Sequence, residues 1–119
     1  FAEFIQNLLL SARKNQCKLL LHALQAGEVY YILLREQDRQ TADFAYARIK
    51  DFPLALIDRI DEELLVSAAS IKASFPLSYT DSFAAATAQI YDATLLTGDP
   101  EFKALDAAGI ISVQWLNSL

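Results

Sequence analysis

The chain has 119 residues, of which 54% are hydrophobic and 21% charged, and this balance predicts one globular domain rather than a disordered segment. No apolar run approaches the roughly 18 residues that would cross a bilayer, and no secretory signal pattern is present, so we expect a cytoplasmic protein. The net charge of -5 argues against a broad phosphate-binding surface, because nucleic-acid affinity depends on Lys and Arg contacts.

The first half of the sequence predicts three helices and two strands. Apolar residues recur at helical spacing in three stretches, and two short apolar runs bounded by polar or turn residues are typical of buried strands. The predicted elements are a helix over 1–12, a strand over 18–21, helices over 26–36 and 38–50, and a strand over 54–57. Cys17 is the single cysteine, so it cannot form an internal disulfide. His22, the single histidine, ends the first strand and is interpreted as a structural residue.

The second half continues the alternation of helices and strands. The predicted elements are a helix over 61–75, an Ala-rich helix from Ser78, a strand over 93–96, a short helix over 100–108 and a strand over 110–115. Four strand-like runs separated by helices indicate an α/β fold with a parallel sheet, because parallel strands need crossover connections. No linker, repeat or low-complexity segment interrupts the pattern.

Three acidic residues flank the predicted strands and helices: Glu28, Asp81 and Asp99. Asp99 follows a strand, whereas Glu28 and Asp81 lie in the first turns of predicted helices. In an α/β fold, polar groups at the carboxyl ends of strands line the crevice where ligands bind. Three carboxylates brought together there would repel one another unless a divalent cation neutralised them, and hard oxygen ligands suit Mg²⁺ or Mn²⁺.

Each of these acids, taken alone, also has a structural interpretation. Ser78 and Asp81 have the spacing of a capping box, and Asp99 before Pro100 is a favourable helix N-cap. A glutamate in a first helical turn, as predicted for Glu28, complements the helix dipole.

Three sequence blocks carry a resemblance to a known family: residues 24–31 (LQAGEVYY), 79–86 (YTDSFAAA) and 97–102 (TGDPEF). In this order and spacing they resemble the PIN-domain ribonucleases, and in particular the VapC toxin type. The resemblance covers essentially the whole chain, residues 1–119. It implies a PIN-like three-layer α/β/α sandwich around a parallel sheet.

The same resemblance implies a function, a site and partners. It implies a metal-dependent endoribonuclease of a toxin–antitoxin system, with Mg²⁺ or Mn²⁺ held by Glu28, Asp81 and Asp99. Thr97 matches the supporting hydroxyl of the family. The expected partners are an RNA substrate, a cognate antitoxin protein and a second copy of the chain, the last two contacting the helical hairpin over 26–50.

One element of the family pattern has no counterpart in the sequence. The family opens with a strand that carries an aspartate, and no strand is predicted before Glu28. Because the sequence begins at Phe1 and contains no methionine, we expect it to start inside a longer gene product. We also expect the chain without that strand to lack stability and a fourth carboxylate. The alternative function is a non-catalytic PIN-like binding module in which the acids serve as caps.

Overall fold

The computed structural model describes residues 2–118, so the predicted helix start at Phe1 lies outside the described residues. The elements are α1 (Ala2–Arg13), β1 (Leu20–His22), α2 (Ala23–Glu36), α3 (Arg39–Asp51), β2 (Ala55–Ile57), α4 (Glu62–Ser74), α5 (Tyr79–Ile90), β3 (Thr94–Thr97), α6 (Lys103–Ala107) and β4 (Ser112–Trp115). Short 3-10 helices occupy Pro100–Phe102 and Leu116–Ser118. Within this part of the chain, no helix is long and apolar enough to cross a membrane.

The described residues form two compact units, which we call the amino-terminal unit (Ala2–Arg59) and the carboxy-terminal unit (from Ile60 onward). Each unit contains one pair of parallel strands. In the first, β1 pairs with β2 from Leu20 opposite Ala55 to His22 opposite Ile57. In the second, β3 pairs with β4 from Thr94 opposite Ser112 to Thr97 opposite Trp115. The predicted α/β class and the parallel pairing are therefore confirmed.

His22 links the sheet of the amino-terminal unit to its helical hairpin. Its Nδ1 accepts a hydrogen bond from the backbone N–H of Leu24 at 3.1 Å, and its Nε2 lies 3.1 Å from the carbonyl oxygen of Arg59. Because a carbonyl can only accept, these contacts require the neutral imidazole with its proton on Nε2. The buried ring thus caps α2 and holds the chain after β2. The structural role predicted for His22 is confirmed.

The carboxy-terminal unit carries the larger core. Its helices α4 and α5 pack against each other, and Ser67 donates a hydrogen bond across them to Gln89 at 3.0 Å. Half of the residues of α5 are buried, and its alanines leave room for close packing. The buried apolar residues of this core are Leu64, Ala68, Ile71, Leu77, Phe83, Ala85, Ala86, Ala88, Phe102, Leu105 and Ile111.

Local side-chain hydrogen bonds set the starts of several helices. Asp38 accepts from Thr41 N at 2.7 Å and Asp61 accepts from Leu64 N at 2.9 Å, so both are N-caps. The side-chain and backbone hydrogen bonds from Thr41 also hold the pKa of Asp38 below its usual value. Ser78 caps α5 and Asp99 caps the 3-10 helix that begins at Pro100.

The strands differ from the expectation of buried strands. Only His22 is buried among their residues, while Ala55, Thr94 and Ser112 are exposed and the remaining strand residues are half-buried. The cause is that each sheet has two strands within the described residues, so every strand is an edge strand. The apolar composition of the strands therefore indicates the fold class but does not indicate how deeply the strands are buried.

We predict that Leu105→Ala lowers the free energy of unfolding by about 2–5 kcal/mol, because Leu105 is fully buried in the carboxy-terminal core and its truncation leaves a cavity. The matched control is Leu65→Ala, which removes the same atoms from a side chain that is 44% exposed on α4. This control should change stability by no more than about 0.5 kcal/mol. Urea unfolding measures both values, and equal losses would contradict this assignment of the core.

Candidate metal centre

Three carboxylates meet in the carboxy-terminal unit. One oxygen from each of Asp81, Asp99 and Glu101 lies within 4.8 Å of the others. Asp81 is the third residue of α5, whereas Asp99 and Glu101 belong to the loop and 3-10 helix that follow β3. The carboxyl end of a strand and the first turn of a helix thus supply the cluster together. The structure brings Asp81 and Asp99 close to each other and adds Glu101.

Hydrogen bonds of the main chain hold these carboxylates in place. The backbone N–H of Asp81 donates to Ser78 Oγ at 3.1 Å, which fixes the start of α5. The N–H of Asp99 donates to Thr97 Oγ1 at 3.0 Å, and the N–H of Glu101 donates to Asp99 Oδ1 at 2.9 Å. The hydrogen bonds of its own side chains therefore hold this loop in shape without a ligand.

Thr97 has a defined structural task in this loop. Its half-buried hydroxyl accepts from the Asp99 amide and so orients the turn that presents Asp99. A role in orienting a ligand or a water molecule stays a prediction. The hydroxyl reaches the cluster through Asp99, which makes Thr97 a positioning residue in this structure.

The pKa of Asp81 is raised above its usual value. Burial is the largest cause, and the negative charge of Asp99 acts in the same direction. Hydrogen bonds with the Ser78 hydroxyl and with Glu101 act against these effects without cancelling them. The ionised form of Asp81 thus lacks a compensating positive charge, and a bound cation would supply one.

Glu28 lies in the amino-terminal unit, on α2. This helix begins at Ala23 rather than at residue 26, since His22 caps it, and Glu28 therefore falls in the second turn instead of the first. The interpretation of Glu28 as a first-turn residue that complements the helix dipole is wrong. Its side chain is half-buried and has an interaction partner. Its participation in a metal site stays a prediction.

Glu101 lies in the third sequence block, but the family resemblance does not single it out as a site residue. The sequence does contain a signal for its position. Asp99-Pro100 starts a tight helical turn, and an acid two residues after the cap lies close to the cap. The hydrogen bond from the Glu101 amide N–H to the Asp99 carboxylate closes this turn.

The donor set fits a small, hard divalent cation. Mg²⁺ and Mn²⁺ prefer carboxylate oxygens, and octahedral Mg²⁺ binds them at about 2.1 Å, so two ligand oxygens lie at most about 4.2 Å apart. Oxygens within 4.8 Å of one another need only small side-chain adjustments to reach this geometry. No sulfur or imidazole ligand belongs to the cluster, which argues against Zn²⁺.

Comparison with known proteins places these features in a family context. Residues 4–108 match the family described as PIN domain. No curated protein matches the chain significantly. Among solved structures, the chain is similar to VapBC2 from Rickettsia felis bound to a DNA fragment from its promoter, with 14% identity, a TM-score of 0.73, and coverage of 94% of this chain and 84% of that chain.

A second similar structure is VapBC-1 from nontypeable Haemophilus influenzae at 2.2 Å resolution. It has 15% identity and a TM-score of 0.65, and the alignment covers 90% of this chain and 84% of that chain. At these identities the likeness concerns the fold. It agrees with the mixed α/β architecture and the parallel strand pairs described above.

We predict that Asp81→Asn stabilises the metal-free protein at pH 7. Because folding raises the pKa of Asp81, the carboxylate penalises the folded state above that pKa, and the penalty fades as pH falls toward about 4. The thermal midpoint of the variant in EDTA should exceed that of the parent chain at pH 7, and the two should converge at about pH 4. A lower midpoint at both pH values would instead show that Asp81 serves α5 as a favourable first-turn acid.

Proposed function

Because the chain belongs to the PIN domain family, we propose that it is a metal-dependent endoribonuclease of the VapC toxin type that hydrolyses phosphodiester bonds in RNA. The observation that carries the proposal is the cluster of Asp81, Asp99 and Glu101. A family match alone leaves the chemistry open, but a set of converging hard oxygen donors is what a nuclease metal site requires. The likeness to two VapBC structures supports the toxin type.

In this proposal the ligands of the cation are Asp81 and Asp99, with Glu28 completing the set that the family resemblance implies. Glu101 joins them as a further carboxylate. The hydrogen bond from its backbone N–H to Asp99 Oδ1 fixes it beside Asp99, and its carboxylate oxygen lies within 4.8 Å of the Asp81 and Asp99 oxygens. Thr97 holds the Asp99 turn through its hydroxyl.

When bound, Mg²⁺ or Mn²⁺ activates a water molecule and stabilises the charge on the leaving oxygen. The residues of the chain contribute orientation and a partly dehydrated setting. The half-buried Asp81 is held by Ser78, and the short capped turn fixes Asp99, so little reorganisation is needed when the RNA arrives.

The proposed protein partners are a cognate antitoxin and a second copy of the chain. The helical hairpin formed by α2 and α3 supports this assignment, because it exposes large apolar side chains. Phe44 is 66% exposed, and Val29 and Tyr31 are also exposed. Exposed aromatic and aliphatic side chains on neighbouring helices are typical of surfaces that bind other proteins.

A second candidate function is a non-catalytic binding module with a PIN-like fold. The observation in its favour is that Asp99 already caps the 3-10 helix through the Glu101 amide. Under this alternative the acids stabilise helix starts, and the partner protein binds elsewhere on the chain. Activity measurements separate the two candidates.

We predict that Asp81→Asn reduces Mn²⁺-dependent cleavage of RNA by more than about a hundredfold, because it removes a charged oxygen ligand while preserving shape. The matched control is Asp92→Asn, which removes the same charge just after α5 and should retain full activity. Cleavage is measured with a labelled single-stranded RNA pool, with circular dichroism confirming the fold. A destabilised Asp81→Asn variant that still cleaves would show that Asp81 is a cap.

We predict a homodimer at micromolar concentration, measured by multi-angle light scattering. Phe44→Ser should weaken the dimer, because it removes a large exposed aromatic surface from the hairpin. Val66→Ser is the control for loss of an exposed apolar side chain outside the hairpin, because Val66 is 56% exposed on α4. A clean monomer for the parent chain would remove the dimer from the proposal.

A further inference from the structure

A separate cavity of about 760 Å³ lies in the amino-terminal unit, at the amino ends of β1 and β2. Its walls are the end of α1, the loop leading into β1 and the segment leading into β2. The lining residues are Ala12, Arg13, Asn15, Gln16, Cys17, Lys18, Leu19, Pro53, Leu54 and Ala55. The helix α2, which carries Glu28, starts at the carboxyl end of β1, and none of the residues that line the cavity belongs to it.

The lining has an unusual charge balance for this acidic protein. It contains two cationic side chains, Arg13 and Lys18, two amides, and no carboxylate. Residues 4–27 form the longest stretch of the sequence without Asp or Glu, and this stretch holds three cations. A chain of net charge -5 thus concentrates positive charge around one concave surface.

These cations have no partners inside the described part of the chain. Neither Arg13 nor Lys18 forms a hydrogen bond or an ion pair through its side chain between residues 2 and 118. Both side chains are exposed, so an anion that binds them displaces no ion pair or hydrogen bond of the described residues.

The walls of the cavity are fixed by the backbone. At the end of α1, the N–H of Gln16 bonds to Ser11 O at 2.9 Å and that of Asn15 bonds to Ala12 O at 3.0 Å. Asn15 has a φ of 60°, the left-handed conformation that asparagine tolerates at helix ends. The N–H of Ala55 bonds to Leu19 O at 2.9 Å and so joins the two strand-side walls.

We propose that this cavity binds a phosphate group, carried either by an RNA strand or by a free nucleotide. Arg presents a planar fork that binds phosphate oxygens in pairs, Lys adds a point charge, and the side-chain amides of Asn15 and Gln16 are neutral donors. The volume lies in the range of small-ligand sites, about 300–1,000 Å³. For the RNA source, the inference rests on the proposed function and gives the strand a contact outside the metal cluster.

The test compares two double variants of the full chain. Arg13→Gln with Lys18→Gln removes both cations of the cavity, and Lys72→Gln with Lys103→Gln removes two cations of the carboxy-terminal unit as the matched control. The probes are a fluorescein-labelled ten-nucleotide RNA and AMP. Binding is measured in EDTA, so that the metal cluster contributes nothing.

We expect the cavity variant to bind the probes about tenfold more weakly or worse, since charged hydrogen bonds to phosphate are lost, and the control to bind within twofold of the parent. For the RNA, the slope of log affinity against log salt should fall by about 0.7 in the cavity variant, as for one phosphate contact on a single strand. Tighter binding of RNA than of AMP identifies the strand as the source, and equal or tighter binding of AMP identifies the free nucleotide.

Several results would overturn the inference. The first is unchanged affinity in the cavity variant, and the second is an equal loss of affinity in the control variant. The third is displacement of AMP by polyglutamate at equal charge concentration, which would indicate that the cavity binds an acidic protein segment instead. If the double variant unfolds, Lys18→Gln against Lys72→Gln gives the same comparison with single changes. Cleavage with Mn²⁺ is assayed separately. A parent chain that binds the probes but does not cleave RNA refutes the nuclease. A parent chain that cleaves RNA while the cavity substitutions leave binding unchanged refutes only this inference.

Discussion

The carboxylate cluster is governed by the electrostatic cost of placing negative charges next to one another. One oxygen from each of Asp81, Asp99 and Glu101 lies within 4.8 Å of the others, and burial, together with the charge of Asp99, raises the pKa of Asp81. Capping explains the position of Asp99, whose carboxylate accepts a hydrogen bond from the Glu101 amide N–H, but it does not explain why the carboxylates of Asp81 and Glu101 approach it. A divalent cation would convert this repulsion into binding free energy, so the cluster is consistent with the metal site of the nuclease that we propose.

The features that follow from local chemistry were predictable from the sequence. Asp38, Asp61 and Ser78 cap helices because a side-chain oxygen three residues before an amide satisfies a free helix donor. Parallel pairing followed from the alternation of helices and strands. The start of α2 was not predictable in this way, since the cap is the imidazole of His22, a residue outside the usual capping set. The early start displaces Glu28 by a whole turn.

Features that depend on tertiary placement were harder to predict. Apolar strands indicated burial, but in two-stranded sheets the strands stay half-exposed and the helices supply the core. Glu101 entered the cluster through a tight turn that sequence spacing alone does not fix. The net charge of -5 also concealed a division, since eight of the ten Lys and Arg residues lie in the amino-terminal unit. The negative net charge of the whole chain therefore does not exclude phosphate binding at one of its surfaces.

The most direct test of the central claim is a titration of the full chain with Mn²⁺, followed by electron paramagnetic resonance of the free ion and by the thermal midpoint. The account predicts saturable binding of Mn²⁺ by the parent chain and a midpoint that rises with Mn²⁺ concentration, because the ion binds the folded state. Asp99→Asn should lose both effects, while Asp92→Asn keeps them. Flat melting curves and an unchanged signal of free Mn²⁺ in the parent chain would contradict the claim that these carboxylates form a metal site.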